Sequence, residues 1–397
     1  MKITNIKVLV TCPGRNYVLV KIETDEGLYG WGDATLNGRE LAVASALEDH
    51  IAPLLIGRDP DRIEDTWQML FRGTYWRGGP VLMTALAGID LALWDIKGKR
   101  AGLPVYSLLG GRTREGALAY AHCGGESFDD VAESILNRMA QGFKVLRAQC
   151  AIPGNIGTYG MGVKGTVRKD MPFVEQWEPS PYLRTIPRMF EHLRKTLGEE
   201  VELLHDVHER LNPVQAARLA RELEPYNLFF LEDPLRPEHK ESFRLIRQHT
   251  TIPIAMGELF HSRWEALPLI TEQLIDFIRC DIGHIGGLTE ARKIAAIAET
   301  YNVATAWHGP PDIAPITHAA NVHLDIAIPN FGIQEMTFFP EVTEEVIPGG
   351  PYLEDGYLKV TDAPGLGTDV NEAAAKYPYQ RAYLPMVRRL DGSVHDW

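Results

Sequence analysis

The sequence predicts an α/β protein in which a barrel of parallel strands follows a smaller α+β unit. The chain has 397 residues, enough for a barrel of roughly 250 residues and a second domain. From Ala117 onward, short apolar runs alternate with amphipathic helical stretches, which is typical of a βα array. Asp206, Glu232 and Glu258 each end such a run and follow one another at equal intervals of 26 residues. That interval corresponds to one strand, one helix and two loops.

Residues 1–115 are predicted to form the α+β unit. ITNIKVLV and YVLVKIETDEGLYGWGDA show the alternation of antiparallel strands, with a turn at EGLYG. Two helical segments follow, ELAVASALEDHIAPLLIG and Val81 to Lys99, in which apolar residues recur at three- and four-residue steps. Gly102 and Pro104 end the second helix.

Residues 116–340 are predicted to form the barrel, because they contain eight candidate strands. These are ALAYAH, FKVLRAQ, ELLHD, LFFLE, IPIAMGE, FIRCD, VATAWH and GIQEM. Helical stretches lie between them, among them Pro213 to Leu223, His239 to His249 and Leu288 to Tyr301. The active centre of such a barrel lies at the carboxyl ends of its strands. All eight ends are polar: His122, Arg147, Asp206, Glu232, Glu258, Asp281, His308 and Glu335.

Two segments depart from this alternation. More than thirty residues, starting with CAIPGNIGTYGMG, separate the second strand from the helix near Arg184 to Leu197. Their glycines and aromatic residues favour a lid over the catalytic end, with a disordered surface excursion as the alternative. Residues 341–397 are predicted to pack back on the α+β unit. Trp397 at their end is expected to enter a pocket or a neighbouring subunit, unless the terminus frays.

Charge and composition exclude several classes of partner. The net charge of −13 and the lack of a Lys/Arg-rich run argue against nucleic acid. No signal peptide opens the sequence and no apolar run approaches roughly 18 residues, so no membrane partner is expected. Cys12, Cys123, Cys150 and Cys280 lack a metal-binding spacing and fit reduced thiols. We expect a soluble, cytoplasmic protein.

The three equally spaced acids predict a metal site. If their strands are parallel neighbours, the carboxylates of Asp206, Glu232 and Glu258 converge, and they would repel one another unless a divalent cation lay between them. Carboxylate oxygens are hard ligands that favour Mg²⁺. For any one of the three the alternative is a helix N-cap or a solvated loop residue. The equal spacing favours the metal.

Several motifs together resemble the enolase superfamily over nearly the whole chain. They are the three-acid ladder, AGIDLALWDIKGKRAGLPVYSLLGG, DIGHIGGLTEARKIA and DGYLKVTDAPGLG. The resemblance implies an N-terminal capping domain, a (β/α)7β TIM-like barrel, and Mg²⁺ on Asp206, Glu232 and Glu258. It also implies chemistry that begins with removal of a proton α to a carboxylate, giving an enediolate that the metal stabilises.

The second barrel strand indicates the subgroup. Racemases and cycloisomerases of the superfamily usually carry a Lys-x-Lys pair there, whereas this chain has Lys144 and Arg147. A guanidinium is not an ordinary base, but it can hold a neighbouring phenol as phenolate, and Tyr159 supplies one. The pairing of Arg147 with Tyr159, the Asp206-x-His208 motif and HGPPD together resemble the mannonate dehydratase subgroup.

This resemblance implies β-elimination of water from a sugar acid, D-mannonate or D-gluconate, to 2-keto-3-deoxy-D-gluconate. Tyr159, whose pKa Arg147 lowers, takes the C2 proton, and His208 protonates the departing 3-hydroxyl. The expected substrate contacts are Asn37, His122, Arg279, His308, Asp312, Glu335 and Trp397.

Each role has an alternative. Tyr159 could be a packed lid aromatic, Arg147 the partner of a metal-ligand carboxylate, and His208 a residue at a helix start. Asp281 and His308 resemble the dyad of mandelate-racemase-like epimerases, but the second lysine base is missing, so His308 is assigned to substrate binding or proton return. A low-activity or non-catalytic regulatory homologue would keep the metal ligands without turnover. We expect a homo-oligomer, a tetramer or octamer.

Overall fold

The computed structural model describes residues 1–153, 174–373, 375–381, 384 and 386–396. The chain divides into two compact units. Unit 1 consists of Met1–Leu118, Glu258–Pro268 and Arg279–Gln380. Unit 2 consists of Ala119–Gly257, Leu269–Ile278 and Arg381–Trp397. The domain boundaries expected from the sequence, after residues 115 and 340, stay predictions.

In chain order, the strands are β1 (Ile3–Thr11), β2 (Tyr17–Thr24), β3 (Tyr29–Asp33), β4 (Ala117–Gly125), β5 (Val145–Cys150), β6 (Val174–Gln176), β7 (Glu202–Asp206), β8 (Leu231–Glu232), β9 (Ile254–Met256), β10 (Phe277–Ile278), β11 (Ala304–Thr305), β12 (Gln334–Glu335), β13 (Tyr352–Glu354), β14 (Tyr357–Lys359) and β15 (Met386–Arg388). The α-helices are α1 (Glu40–Ser45), α2 (Ala52–Leu55), α3 (Ile63–Arg72), α4 (Pro80–Ala101), α5 (Val105–Leu108), α6 (Phe128–Met139), α7 (Pro179–Leu197), α8 (Pro213–Leu223), α9 (Phe243–His249), α10 (Arg263–Thr271), α11 (Leu288–Thr300), α12 (Pro315–Asp325) and α13 (Glu341–Val346).

Unit 1 opens with the antiparallel sheet β1-β2-β3 that the sequence predicts. The long helix α4 packs closely on β3, and glycines allow the approach. A Cβ atom at Gly32 would lie 1.9 Å from the carbonyl oxygen of Gly88, so a side chain at this position would force the helix away. Within the same unit, Cys12 N–H donates to Tyr377 O at 3.1 Å and Asn16 Nδ2 to Gln380 O at 2.6 Å. The segment near residue 380 therefore lies against the β1–β2 hairpin.

Unit 2 is built on parallel strands that pair in the order β10-β9-β8-β7-β5-β4, where the first two residues of β4 belong to unit 1. Helices α6, α7, α8 and α9 connect successive strands, as in the βα array expected from the sequence. Capping boxes fix the start of two of them, Ser127 with Asp130 before α6 and Asn212 with Gln215 before α8. Parallel pairing brings the carboxyl ends of these strands to one edge of the sheet.

Several elements differ from the sequence prediction. The segment predicted as one helix over ELAVASALEDHIAPLLIG is α1, a π-helical turn (Ala46–Ile51) and α2, with Pro53 in the first turn of α2. Pro53 lacks the N–H group that a continuous helix needs. The helix expected from His239 begins at Phe243, because His239 has a non-helical φ of −104° and ψ of 17° inside a 3-10 turn.

Cys12, Cys123, Cys150 and Cys280 are free thiols, as their spacing predicts. Among the residues that the structure describes, none of the helices is both long and apolar enough to cross a membrane.

Candidate active site

Acidic residues stand at the carboxyl ends of three consecutive parallel strands. In unit 2, β7 ends at Asp206 and β8 at Glu232, and these two residues are register partners. Glu258 follows the last residue of β9 by two positions, where the chain passes into unit 1. All three carboxylates are buried. Asp206 and Glu232 therefore end their strands as the sequence predicts, whereas β9 ends at Met256, two residues before Glu258.

Arg147 is the cationic partner of the acids in unit 2. Its Nη1 atom donates to Asp206 Oδ2 at 3.0 Å and to Glu232 Oε1 at 3.2 Å. Its Nη2 atom lies 2.9 Å from Nδ1 of His122, which is its register partner on β4. The structure thus shows the contact with predicted metal-ligand carboxylates that the sequence left as an alternative. Tyr159, the predicted partner of Arg147, lies outside the described residues.

The backbone that follows Asp206 turns sharply. His208 and Glu209 both have a φ of 56°, in the left-handed region that non-glycine residues seldom adopt. The turn lets the His208 N–H donate to Asp206 Oδ1 at 2.7 Å and the Glu209 N–H donate to Asp233 O at 2.8 Å. Strained backbone of this kind clusters at active sites and ligand-binding loops. The predicted acid His208 is thereby fixed next to a predicted metal ligand.

Asp233 is a buried acidic residue beside the predicted metal ligands that the sequence does not predict. It directly follows Glu232, is fully buried, and has a φ of 40°. Its Oδ1 atom accepts a hydrogen bond from Gly257 N–H at 2.8 Å. Glu232 and Asp233 offer carboxylate oxygens within 4.8 Å of each other, close enough to hold a metal ion. The LEDP motif contains both acids, Glu232 and Asp233. Successive side chains of a strand normally point to opposite faces, so the motif alone predicts that only one of them faces the site. The sequence does not reveal the left-handed turn at Asp233.

In unit 1, the buried guanidinium of Arg279 also contacts acidic residues. Its Nη1 atom donates to Glu258 Oε2 at 2.8 Å and its Nη2 atom donates to Glu335 Oε2 at 2.7 Å. The same oxygen of Glu335 accepts the Gly309 N–H at 2.8 Å. Arg279 and Glu335, both predicted to face the substrate, are therefore brought together with one of the predicted metal ligands.

Asp281 and His308 form a hydrogen-bonded pair in unit 1. The Nδ1 atom of His308 lies 2.8 Å from Asp281 Oδ2, and Gly283 N–H donates to Asp281 Oδ1 at 2.8 Å. Burial alone would raise the pKa of Asp281, but the nearby charge of His284 and the hydrogen bond from His308 outweigh burial and hold this pKa below its ordinary value. The other ring nitrogen of His308, Nε2, lies 3.6 Å from Glu258 Oε2.

Asn37 and Asp312 contact each other in unit 1. The Asn37 Nδ2 atom donates to Asp312 Oδ2 at 2.8 Å, and Arg15 Nη1 donates to Oδ1 of the same carboxylate at 2.8 Å. Both predicted substrate contacts thus belong to one hydrogen-bonded cluster. Arg15 also belongs to it, although the sequence does not predict this. Trp397, also predicted to contact substrate, lies outside the described residues.

Comparison with known proteins places both parts of the chain in described families. Residues 6–110 match the mandelate racemase / muconate lactonizing enzyme N-terminal domain, and residues 136–374 match the enolase C-terminal domain-like family. A D-mannonate dehydratase from Sphingomonas sp. (strain SKA58) is 52% identical over an alignment of 402 positions that covers 100% of this chain and 100% of that one. A D-galactonate dehydratase family member from Streptomyces bingchenggensis (strain BCW-1) is 52% identical over 401 residues, covering 100% of this chain and 98% of that one.

A solved structure is similar over almost the full length. A crystal structure of an enolase from Pantoea ananatis with bound D-gluconate and Mg superposes with a TM-score of 0.92 at 47% identity, covering 99% of each chain. Together with the two domain matches, this similarity confirms the predicted fold class, a (β/α)7β barrel with an α+β N-terminal capping domain.

Proposed function

The chain belongs to the enolase superfamily, and from this membership and the site geometry we propose that it is a Mg²⁺-dependent acid-sugar dehydratase, a hydro-lyase. Arg147 carries the proposal. A buried arginine at the second barrel strand, in contact with Asp206 and Glu232, stands where racemases of the superfamily have lysine bases. Such a residue cannot take a proton itself, but it favours negative charge on a neighbouring group.

The proposed substrate is D-mannonate or D-gluconate, and the product is 2-keto-3-deoxy-D-gluconate. The Sphingomonas relative is named a D-mannonate dehydratase, and the Pantoea enolase structure contains D-gluconate. Bound Mg²⁺ would supply the positive charge that the carboxylate of a sugar acid needs, because Arg147 and Arg279 are each already paired with two carboxylates of the chain.

We propose Asp206, Glu232 and Glu258 as the Mg²⁺ ligands. Their donor atoms fit this ion, since all are carboxylate oxygens, all are buried, and each stands at or just after the end of one of three successive parallel strands. Bound Mg²⁺ supplies a Lewis acid that stabilises the negative charge developing on the substrate carboxylate.

The chain's own residues would move the protons. Tyr159, assigned from the sequence, takes the proton from C2 as a phenolate favoured by the charge of Arg147. His208 donates a proton to the 3-hydroxyl as the C3–O bond breaks, and water leaves. The enol that remains transfers its hydroxyl proton to C3 and becomes the keto acid. His308, oriented by Asp281, binds the substrate or returns this proton.

Contacts to the remaining hydroxyl and carboxylate groups of the substrate are proposed for the other residues that the sequence indicates. They are Asn37, His122, Arg279, Asp312, Glu335 and Trp397.

Keto-acid formation tests this function. The natural chain with Mg²⁺ is expected to convert D-mannonate, D-gluconate or both, and Tyr159→Phe and a metal-stripped sample are expected to lose turnover. The preferred epimer would identify the substrate. Turnover by Tyr159→Phe equal to that of the natural chain would contradict the proposed base.

A second candidate is an acid-sugar epimerase, which the 2.8 Å contact between Asp281 and His308 favours because it provides an oriented base of its own. Exchange of solvent deuterium into C2 of recovered substrate, without keto acid, would identify it. Absence of both reactions across a panel of acid sugars, with Mg²⁺ still bound, would identify a non-catalytic homologue.

We further propose a cytoplasmic location and a homo-oligomeric assembly, a tetramer or octamer. A single monomeric species in sedimentation over a wide concentration range would contradict the assembly.

A further inference from the structure

Unit 1 carries an exposed aromatic loop beside an apolar hollow, and we propose that this face binds a second copy of the chain by reciprocal insertion. The aromatic loop is residues 73–79, between α3 and α4. The hollow has a volume of about 300 Å³ and lies between the π-helical turn, α3 and α4. In the proposed pair, the loop of each copy enters the hollow of the other.

The tip of the aromatic loop is unusually exposed for its chemistry. Tyr75 is 87% exposed and Trp76 is 82% exposed, more than any other large apolar or aromatic side chain among the described residues. Their rings lie edge to face, with centroids 5.2 Å apart and planes at 86°. Two adjacent aromatic side chains in contact present one stiff apolar projection. Monomeric proteins rarely expose such a surface, which usually marks a binding site.

The hollow is the matching concave surface. Its apolar lining comes from Ile51, Leu54, Met69, Leu70, Phe71 and Leu82. Phe71, together with the further lining residues Met83 and Leu86, belongs to a packed core cluster with Trp67. The Phe71 ring also stacks on Trp264, with centroids 5.4 Å apart and an interplanar angle of 10°. A preformed apolar hollow of this kind accepts an aromatic side chain without rearrangement.

The loop does not fill the hollow of its own chain. The two ends of the loop line the hollow, through Gly73, Thr74, Arg77 and Gly78. Tyr75 and Trp76 at the tip do not line it. The tip therefore projects away from its neighbouring hollow. A projection and a hollow side by side on one face are self-complementary about a two-fold axis, which is the geometry of an isologous dimer.

The area that such a pair would bury is sufficient for a stable dimer. Two aromatic side chains bury about 300–500 Å² per copy, and the walls that receive them lose a similar area. Over both copies the total is roughly 1,200–2,000 Å², the size of a specific protein interface.

Charge at the rim also fits a second copy. Arg72 and Arg77 flank the tip and are exposed, and the Arg77 guanidinium lies 5.6 Å from the centroid of the Phe71 ring of its own chain. Glu48 and Asp49, exposed as well, precede His50, one of the residues that line the hollow. Insertion of the tip into a partner's hollow would bring basic side chains toward acidic ones, which favours this pairing over a random apolar contact.

Sedimentation of designed variants tests the interface. The double variant Tyr75→Ser/Trp76→Ser removes the projection, and Leu82→Glu places a charge in the hollow. Each is expected to have at most half the mass of the natural chain. The control Tyr352→Ser, which removes an aromatic ring that is 47% exposed elsewhere in unit 1, is expected to keep the natural mass.

Mixing Tyr75→Ser/Trp76→Ser with Leu82→Glu distinguishes insertion of the loop from a general loss of apolar surface. The double variant has no aromatic tip to insert, and Leu82→Glu has no apolar hollow to receive one, so neither variant can pair with itself. In a mixture, the intact loop of the Leu82→Glu chain can enter the intact hollow of the double variant, so a species of twice the mass is expected. Leu54→Glu, at another exposed hollow residue, replaces Leu82→Glu if circular dichroism shows that the latter does not fold.

Three results would overturn the proposal. They are a natural chain that is monomeric at every concentration, a double variant that keeps the natural mass, and a mixture of two folded variants that regains no larger species. None of these measurements depends on turnover, so they stand apart from the test of the dehydratase.

Discussion

At the scale of single residues, buried arginines balance the acids of the site. Arg147 contacts Asp206 and Glu232, and Arg279 contacts Glu258 and Glu335. Three converging carboxylates repel one another, so the sequence predicts a metal ion between them. The structure adds that guanidinium groups already supply part of the compensating charge. This compensation does not depend on the proposed Mg²⁺.

Replacement of Arg147 tests this balance. Arg147→Met should lower the free energy of unfolding by about 3–5 kcal/mol, because two buried carboxylates lose their partner. Added Mg²⁺ should recover part of the loss, since a ligand that binds only the folded state stabilises it. Urea unfolding of the natural chain and the variant, with and without Mg²⁺, measures both effects. Equal stability of the two proteins in the absence of Mg²⁺ would contradict the charge balance.

A pair of matched substitutions tests the proposed ligand set. Asp206→Asn should weaken Mg²⁺ binding by more than about 100-fold, because it removes a ligand charge, whereas Asp233→Asn should weaken it by about 10-fold or less. Asp233 already accepts the Gly257 N–H, and an asparagine oxygen can do the same. Titration calorimetry with Mg²⁺ gives both affinities. The reverse order would assign Asp233, in place of Asp206, to the metal.

The sequence predicts some of these residues and not others, for a physical reason. Regular spacing identifies Asp206, Glu232 and Glu258, because each depends only on a strand that ends at the same edge as its neighbours. Asp233 depends on a left-handed φ, and Arg15 on a contact with Asp312 that lies 297 residues away in the chain. Neither feature leaves a periodic signal.

At the scale of elements, the contact between α4 and α11 contains a buried carboxyl group with a raised pKa. Asp90 on α4 accepts the Thr289 N–H at the start of α11 at 2.9 Å. Gly287 fits closely there, because its φ is +88° and a Cβ atom would lie 2.4 Å from Asp90 Oδ2. Among the described residues, Asp90 Oδ1 has no hydrogen-bond partner. Burial raises the pKa of Asp90 to about 7, although the hydrogen bonds from Thr289 oppose the shift.

This carboxyl group should make stability depend on pH. In the window from about 4 to about 7 the folded chain holds a proton on Asp90 that the unfolded chain releases, so stability falls as pH rises. The contribution is roughly 4 kcal/mol over the whole window. Asp90→Asn should remove this slope and be the more stable protein at pH 8. Urea unfolding as a function of pH measures it, with the exposed Asp129→Asn as the control that keeps the slope.

An unchanged pH dependence in Asp90→Asn, with the fold intact, would contradict the assigned ionisation.

Helices and strands were predictable to different degrees. Helix α8 spans Pro213–Leu223 as predicted, because its cap, its apolar period and its length all agree. Strand β8 has only two residues where LFFLE predicted five, although the whole run is apolar. A buried run does not record how many of its residues pair, since pairing depends on the neighbouring strand. The π-helical turn between α1 and α2 likewise lacks a sequence signal.

At the scale of the whole molecule, the fold class is confirmed, whereas the substrate depends on details of the site. Relatives with the same 52% identity are named D-mannonate dehydratase and D-galactonate dehydratase family member. Overall identity therefore does not select the sugar, because a few contacts to hydroxyl groups decide it. The elimination of water is the feature that these names share.

The most direct test of the dehydratase is the metal dependence of keto-acid formation. The natural chain is mixed with D-mannonate or D-gluconate and assayed as purified, after chelation, and after Mg²⁺ is restored, beside the variant Glu232→Gln. We predict that chelation abolishes turnover, that Mg²⁺ restores it, and that Glu232→Gln has little turnover at any Mg²⁺ concentration. Undiminished turnover after chelation, or in Glu232→Gln, would contradict a Mg²⁺-dependent elimination at this site.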